Sequence, residues 1–319
     1  MKKLLATLIL LPAMALAWEP AKPITVLVGS APGSNLELNF RTASAVVTKQ
    51  NPSANFVFVS KPGADGVLAM NQLLTASADG YTISAASTLS IFVSNDIFQR
   101  DQKKFKYNSF DTPLIISKSP LAVIANVSSN VRTPKDFINK LKTTTTPINI
   151  AVGGGPHKLA YEMLMDRAVG HNKEVNSIAY NGPLPAGVAV ASTGEVEFGI
   201  IPITVAKPLI DSGKVRLIAL TGSEVFEPMP SVLLMKDYVP GFVVYAGTTL
   251  ALPPDTPKEI VDWYVAKFSS AIKSNEAKVL YKSNLMSYDA TTLNPTGVAT
   301  YASDLRKLWN AYITNEKKI

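Results

Sequence analysis

Short apolar runs alternate with polar, glycine-bearing turns over the first ninety residues. Pro23–Val28 is a β-branched run that ends at Gly29, which is typical of a buried strand. Beyond the next turn, apolar residues recur at helical spacing: Leu36, Phe40, Ala43 and Val47. The same order then repeats as a predicted strand at 56–59, turn at 61–66, helix at 67–75 and strand at 81–85. This alternation predicts an α/β fold with a mostly parallel sheet.

A second α/β run begins near Leu121. Thr133 is suited to cap a helix, with Pro134 at its first position and Asp136 in its first turn. The remaining predicted elements of this run are strands at 148–152, 196–201 and 215–221 and helices from about 158 and around 204–212. Near the end, Thr256–Glu259 predicts a capping box before a helix, and a last amphipathic helix is predicted from about 296 to 312.

The first seventeen residues have the features of an export signal. Lys2 and Lys3 precede the apolar run Leu4–Leu11, and Ala15–Ala17 provides a small-x-small cleavage site. The alternative is an N-terminal anchor. No later stretch reaches about 18 apolar residues, so we expect a soluble periplasmic protein that is cleaved after Ala17.

Composition narrows the function classes. The 319 residues are 47% apolar and contain no cysteine, which excludes disulfides, thiolate zinc sites and a cysteine nucleophile. Removing the leader lowers the formal charge from +7 to +5, with 29 basic against 24 acidic residues. The basic residues are scattered without interleaved aromatics, which favours small anions over nucleic acid as ligands. We predict neither a cofactor nor a metal.

Enzyme motifs are absent. The chain has no Walker phosphate loop, no dinucleotide fingerprint and no zinc-protease helix, and the serine in Gly29–Gly33 is one place too early for a nucleophile elbow. A serine triad would have to use His157 or His171. The sequence therefore predicts no catalytic residues and a protein that is not an enzyme.

Five glycine-rich or small-polar turns are the candidate ligand site, because turns at the carboxyl ends of strands bind ligands and helix N-termini attract anions. The predicted ligand-binding residues are Gly33, Ser34, Asn35, Glu37, Gly63, Ala64, Ser87, Thr88, Gly154, His157, Lys158, Tyr180 and Gly182. Any one turn could be an ordinary loop. His157 and Lys158 could supply a cation or form a solvated pair. Glu37 could interact with the helix dipole, orient water or accept from a ligand.

These turns resemble, in order and spacing, motifs of the tripartite tricarboxylate transporter receptors, the TctC or Bug family of periplasmic solute-binding proteins. The matching segments are Pro23–Gly33, Lys61–Gly66, Ala78–Thr82, Tyr180–Gly182, Gly194–Val196, Ser212–Arg216 with Ala219–Leu220, and Thr256–Pro257. The segments that depart from the family pattern are Ser34, His157–Ala160 and Gly199–Ile200 beside Phe198. The departures concern mainly the second lobe, and Lys158 could favour a more negative ligand.

The resemblance implies a two-lobed, type II-like Venus-flytrap fold with a cleft between the lobes. We place lobe one at 18–121 plus 245–319 and lobe two at 122–244. It also implies a monomeric receptor that captures a small organic carboxylate, such as a di- or tricarboxylate, for small and large membrane permease subunits. Two alternatives stay open at this point: a ligand-responsive periplasmic sensor and a periplasmic hydrolase.

Overall fold

The computed structural model describes residues 18–170, 172–192 and 195–314. The predicted leader, His171 and Gly194 lie outside the described residues. The strands are β1 (Ile24–Val28), β2 (Phe56–Ser60), β3 (Thr82–Ser87), β4 (Asp111–Asn126), β5 (Ile148–Val152), β6 (Val175–Ala179), β7 (Phe198–Pro202), β8 (Val215–Leu220) and β9 (Tyr245–Leu252). The helices are α1 (Asn35–Gln50), α2 (Val67–Leu73), α3 (Asn95–Phe98), α4 (Pro134–Thr143), α5 (Gly155–Leu164), α6 (Pro183–Ser192), α7 (Ile203–Asp211), α8 (Lys258–Lys273), α9 (Asn275–Ser283), α10 (Pro295–Leu308) and α11 (Asn310–Ile313).

The sheet is mixed rather than mostly parallel. Its strand order is β2-β1-β3-β9-β4-β7-β5-β6, with β8 also paired to β4. Pairs among β1, β2 and β3 and among β5, β6 and β7 are parallel, as the alternating pattern predicts. Every pair that involves β4 or β9 is antiparallel. The expectation of a mostly parallel sheet is therefore wrong where these two strands join the parallel groups.

Strand β4 passes from one half of the sheet to the other. Its 16 residues pair with β9 as far as Pro120 and with β7 and β8 from Leu121 onward. The sequence analysis places the start of the second α/β run near Leu121, inside this strand, and does not predict the part of β4 that begins at Asp111. Pro113 lies where the β4–β9 register shifts, so an irregularity accommodates it. The change of partner lies at the predicted lobe boundary, and we propose that the two lobes meet there.

Thr221 links the two points at which the chain crosses between the halves of the sheet. The fully buried hydroxyl of Thr221 accepts from the Leu121 amide at 2.9 Å and donates to the Val244 carbonyl at 2.5 Å. The Thr221 backbone bonds to both residues as well. The chain therefore enters and leaves the 122–244 segment at adjacent points.

The two predicted helix caps have different outcomes. Thr133 caps α4, as predicted, and Asp136 completes a capping box with it. The capping box at Thr256 is wrong, because α8 begins after Pro257 and the Thr256 hydroxyl donates to the Pro253 carbonyl instead. The predicted last helix is interrupted at Trp309, where α10 ends and α11 follows.

No helix in the described part of the chain is both long and apolar enough to cross a membrane. Among the same residues, no cluster of three or more histidine, aspartate or glutamate side chains could hold a metal ion.

Candidate ligand-binding cleft

A cleft of about 1210 Å³ lies where the turns after β1, β2, β3, β5 and β6 converge. Its walls come from both halves of the sheet: residues 29–36 and 62–66 on one side, and residues 180–185 with Pro156 and His157 on the other. Parallel strands present their carboxyl ends to the same edge, which brings the five turns together although they are distant in sequence. The cleft thus has the position expected of a ligand site between two lobes.

The turn after β1 is held in shape by one buried acid. Ser34 caps α1 by accepting from the Glu37 amide at 3.4 Å, and its hydroxyl lies 2.5 Å from that of Ser30. Glu37 is only 5% exposed and accepts from the Gly33 amide at 2.9 Å. Its other oxygen pairs with Arg41 at 2.6 Å. Glu37 therefore fixes the turn from behind, and its side chain does not line the cleft.

The first two turns touch each other. A Cβ on Gly29 would lie 2.5 Å from the Gly66 Cα, so only glycine allows this approach. After β3, Ser87 lines the cleft and accepts from the Ser90 amide at 3.4 Å. Thr88 is buried instead and shares a 2.9 Å hydrogen bond with Thr249 of β9.

His157 is a neutral group in the second wall. It is buried in the first turns of α5, and burial lowers its pKa to about 4. Its Nδ1 lies 2.9 Å from the Gly153 carbonyl, and a carbonyl only accepts, so Nδ1 carries the proton and Nε2 is the acceptor nitrogen. His157 therefore supplies no positive charge at neutral pH. Lys158 does not line the cleft, and its ammonium lies 5.2 Å from the centre of the Phe98 ring.

The predicted residues divide into two groups by position. Those that line the cleft are Gly33, Ser34, Asn35, Gly63, Ala64, Ser87, His157, Tyr180 and Gly182. Those that do not are Glu37, Thr88, Gly154 and Lys158. A role in ligand binding stays a prediction for each of them.

Asp65 and Asn95 are among the cleft residues that the predicted set does not include. Asp65 lines the cleft, and its Oδ2 accepts from the Gly155 amide at 3.0 Å, across from its own turn. Burial raises the pKa of Asp65, and hydrogen bonds from Gly155 and Gln99 offset part of that effect. Asn95 lines the cleft at 1% exposure. One sequence signal pointed to the first of them, because Asp65 is the acid within the five candidate turns.

Comparison with known proteins identifies the family. A family model described as the tripartite tricarboxylate transporter family receptor, TctC, matches residues 40–317. The chain belongs to the TctC family. Among curated relatives of this TctC protein, a UPF0065 protein of Bordetella bronchiseptica is 25% identical over 250 residues, covering 78% of this chain and 72% of the relative. A UPF0065 protein of Cupriavidus necator is 23% identical over 95% of this chain and 90% of its own.

Solved structures share the fold of this TctC protein. The R. palustris protein Rpa4515 with adipate superposes with a TM-score of 0.84 at 20% identity, over 92% of this chain and 97% of its own. The periplasmic binding protein BugD superposes with a TM-score of 0.79 at 20% identity, over 92% of this chain and 98% of its own. MatC from Rhodopseudomonas palustris with bound malate superposes with a TM-score of 0.80 at 21% identity, over 92% of this chain and 99% of its own. The protein thus has the two-lobed α/β fold of periplasmic binding proteins and is a solute-binding receptor, not an enzyme.

Proposed function

We propose that this TctC protein captures a small organic carboxylate in the cleft and delivers it to a membrane transporter of small and large permease subunits. In this proposal the leader is removed after Ala17, and the mature protein acts in the periplasm as a monomer. The cleft closes on its ligand by movement of the 122–244 segment relative to the rest of the chain.

The observation that carries the proposal is the turn at the N-terminus of α1. Ser30, Ser34 and Asn35 bring small polar groups to the cleft beside the positive end of a 16-residue helix. Hydroxyls, backbone amides and a helix N-terminus together favour a carboxylate over a neutral group. Arg41 lines the cleft as well, but it is paired with Glu37 at 2.6 Å, so the ligand's charge would be met mainly by dipoles.

The solved relatives support the same class of ligand. Adipate and malate are the molecules bound by two of them, and both are carboxylates. No residue arrangement in the described chain favours the sensor alternative over transport, so the transport role rests on the family.

A binding screen tests the proposal directly. The mature protein would be heated with mono-, di- and tricarboxylates, amino acids and uncharged analogues of each. A ligand at a hundred times its Kd stabilises the fold by about 2.7 kcal/mol, which is a clear thermal shift. We expect stabilisation by carboxylates and none by their amides or esters. A folded, ligand-free protein that no carboxylate stabilises would contradict the proposal.

A matched pair of variants locates the site. Ser34→Ala removes the hydroxyl from the turn, whereas Ser53→Ala removes an exposed hydroxyl outside the cleft. Calorimetric titration should show weaker carboxylate binding for Ser34→Ala alone. Because Ser34 also caps α1, Ser34→Ala should lower the free energy of unfolding by about 1 kcal/mol. Affinity is therefore measured well below the melting temperature of both variants.

A further inference from the structure

Asp65 reaches across the cleft from a turn of unusual backbone geometry. Ala64 and Asp65 both adopt left-handed conformations, with φ of 48° and 52°, and Asp65 is followed by Gly66 at φ 89°. The turn is closed by a 3.0 Å hydrogen bond from the Gly66 amide to the Gly63 carbonyl. This conformation places the Asp65 carboxylate 3.0 Å from the Gly155 amide, at the start of α5. A carboxylate of the chain itself thus bridges the two walls.

The start of α5 is shaped to receive that carboxylate. A Cβ on Gly154 would lie 2.6 Å from Asp65 Oδ1, and one on Gly155 would lie 2.7 Å from Oδ2. Gly154 caps the helix without any side-chain hydrogen bond of its own. Asp65 therefore acts as the anionic cap of α5, and the positive end of this helix is already neutralised.

A second ligand carboxylate would find no cation without an ion-pair partner among the described residues that line the cleft. Among the described residues that line the cleft, the cationic side chains are Arg41 and Lys207. Arg41 pairs with Glu37 at 2.6 Å, and Lys207 pairs with Asp211 at 2.5 Å. His157 is neutral at pH 7. An incoming carboxylate would instead face the charge of Asp65, and like charges in a partly buried site repel.

The cleft also offers two acceptors for a hydrogen-bond donor of the ligand, His157 Nε2 and Asn95 Oδ1. His157 offers Nε2 as an acceptor, as its contact with Gly153 requires. In the described structure, Asn95 Oδ1, Asn95 Nδ2 and Ser94 Oγ are buried without hydrogen-bond partners. Ser94 Oγ lies next to the Asp65 contact, at 3.2 Å from a Cβ built on Gly155. Buried polar groups of this kind are normally paired, which points to a polar ligand group beside them.

We propose that Asp65, with Asn95 and His157, makes this receptor select monocarboxylates that carry a hydrogen-bond donor at the other end, and reject dicarboxylates. The ligand carboxylate would bind at the α1 turn, and an ammonium, hydroxyl or amide donor would face Asp65. This inference rests on the proposed function and narrows its ligand class.

Ligands of matched length test the selectivity by titration calorimetry at pH 7.5. One set is 4-aminobutanoate, butanoate and succinate, and the other is 6-aminohexanoate, hexanoate and adipate. In any set that binds, we expect the amino acid to bind at least tenfold more tightly than the dicarboxylate, with the simple acid between them. A wild-type preference for succinate or adipate would overturn the inference and leave the proposed function intact. If neither these nor other carboxylates bind the wild type, both fail.

Variants assign the effect to Asp65. Asp65→Asn removes the charge and keeps an acceptor for the Gly155 amide, so the preference should fall at least tenfold. Asp65→Gly also removes the carboxylate that caps α5, and the preference should fall to the same extent. If Asp65→Gly does not fold, the comparison rests on Asp65→Asn alone. Asp101→Asn makes the same charge change at an exposed residue outside the cleft and should keep the wild-type ratio. An unchanged ratio in Asp65→Asn would overturn the role of Asp65.

Discussion

Because His157 is buried and neutral, we expect the free energy of unfolding to fall in acid. Its pKa is about 4 in the folded protein and 6.5 in the unfolded chain, where the ring is solvated. Because the folded-state pKa lies below the unfolded value, the neutral ring stabilises the folded protein fully above pH 6.5. This stabilisation is lost as the pH falls from 6.5 to about 4. Each pKa unit corresponds to about 1.4 kcal/mol, so the loss between pH 7.5 and pH 4 is about 3 kcal/mol.

Urea unfolding of wild type and His157→Gln at pH 7.5 and pH 4 measures this contribution. The other titrating groups, including His171, are common to both proteins and cancel in the comparison. The wild type should lose about 3 kcal/mol more than the variant over this interval, whatever the net change from the remaining groups. If both proteins lose the same free energy of unfolding, His157 is not held neutral by burial, and the acceptor assigned to its Nε2 fails with it.

Three further substitutions test how the site is supported. Glu37→Gln should weaken carboxylate binding by roughly tenfold, measured by titration calorimetry, because the turn at Gly33 loses a charged acceptor; unchanged affinity would show that Glu37 does not support the site from behind. Gly29→Ala should lower the free energy of unfolding by about 1–3 kcal/mol in urea, since its Cβ would meet the backbone of Gly66 at 2.5 Å. Thr221→Val should cost about 2 kcal/mol, because two buried backbone groups lose their partner; a melting temperature equal to that of wild type would refute this.

The predictable part of the fold was the part encoded locally. Strand β1, its turn and α1 follow from a short apolar run, a polar turn and helical spacing, and the structure has all three. The cap at Thr133 was also predictable, because its partner Asp136 lies three residues away in the sequence. The antiparallel pairing of β4 with β9 was not, since their paired residues lie more than a hundred positions apart.

The same limit applies to the site. The sequence was sufficient to place residues at the cleft when they follow directly after a strand. Ser34 and Tyr180 are examples, and both line the cleft. The contact that Asp65 makes could not be predicted, because its partner Gly155 lies 90 residues away in the sequence. The charge of His157 was likewise out of reach, since burial rather than sequence position sets its pKa.

Thr221 gives the 122–244 segment the geometry of an insertion. Leu121 and Val244, where the chain enters and leaves this segment, bond to the same residue. A relative's segment whose ends meet in the same way could replace it in one recombination event, with the α1 turn left untouched. Such an exchange would keep the α1 turn, where we propose that the ligand carboxylate binds, and would replace the wall that carries His157. We therefore expect the 122–244 segment to be exchangeable as a unit, so that ligand preference can change without any substitution in the α1 turn.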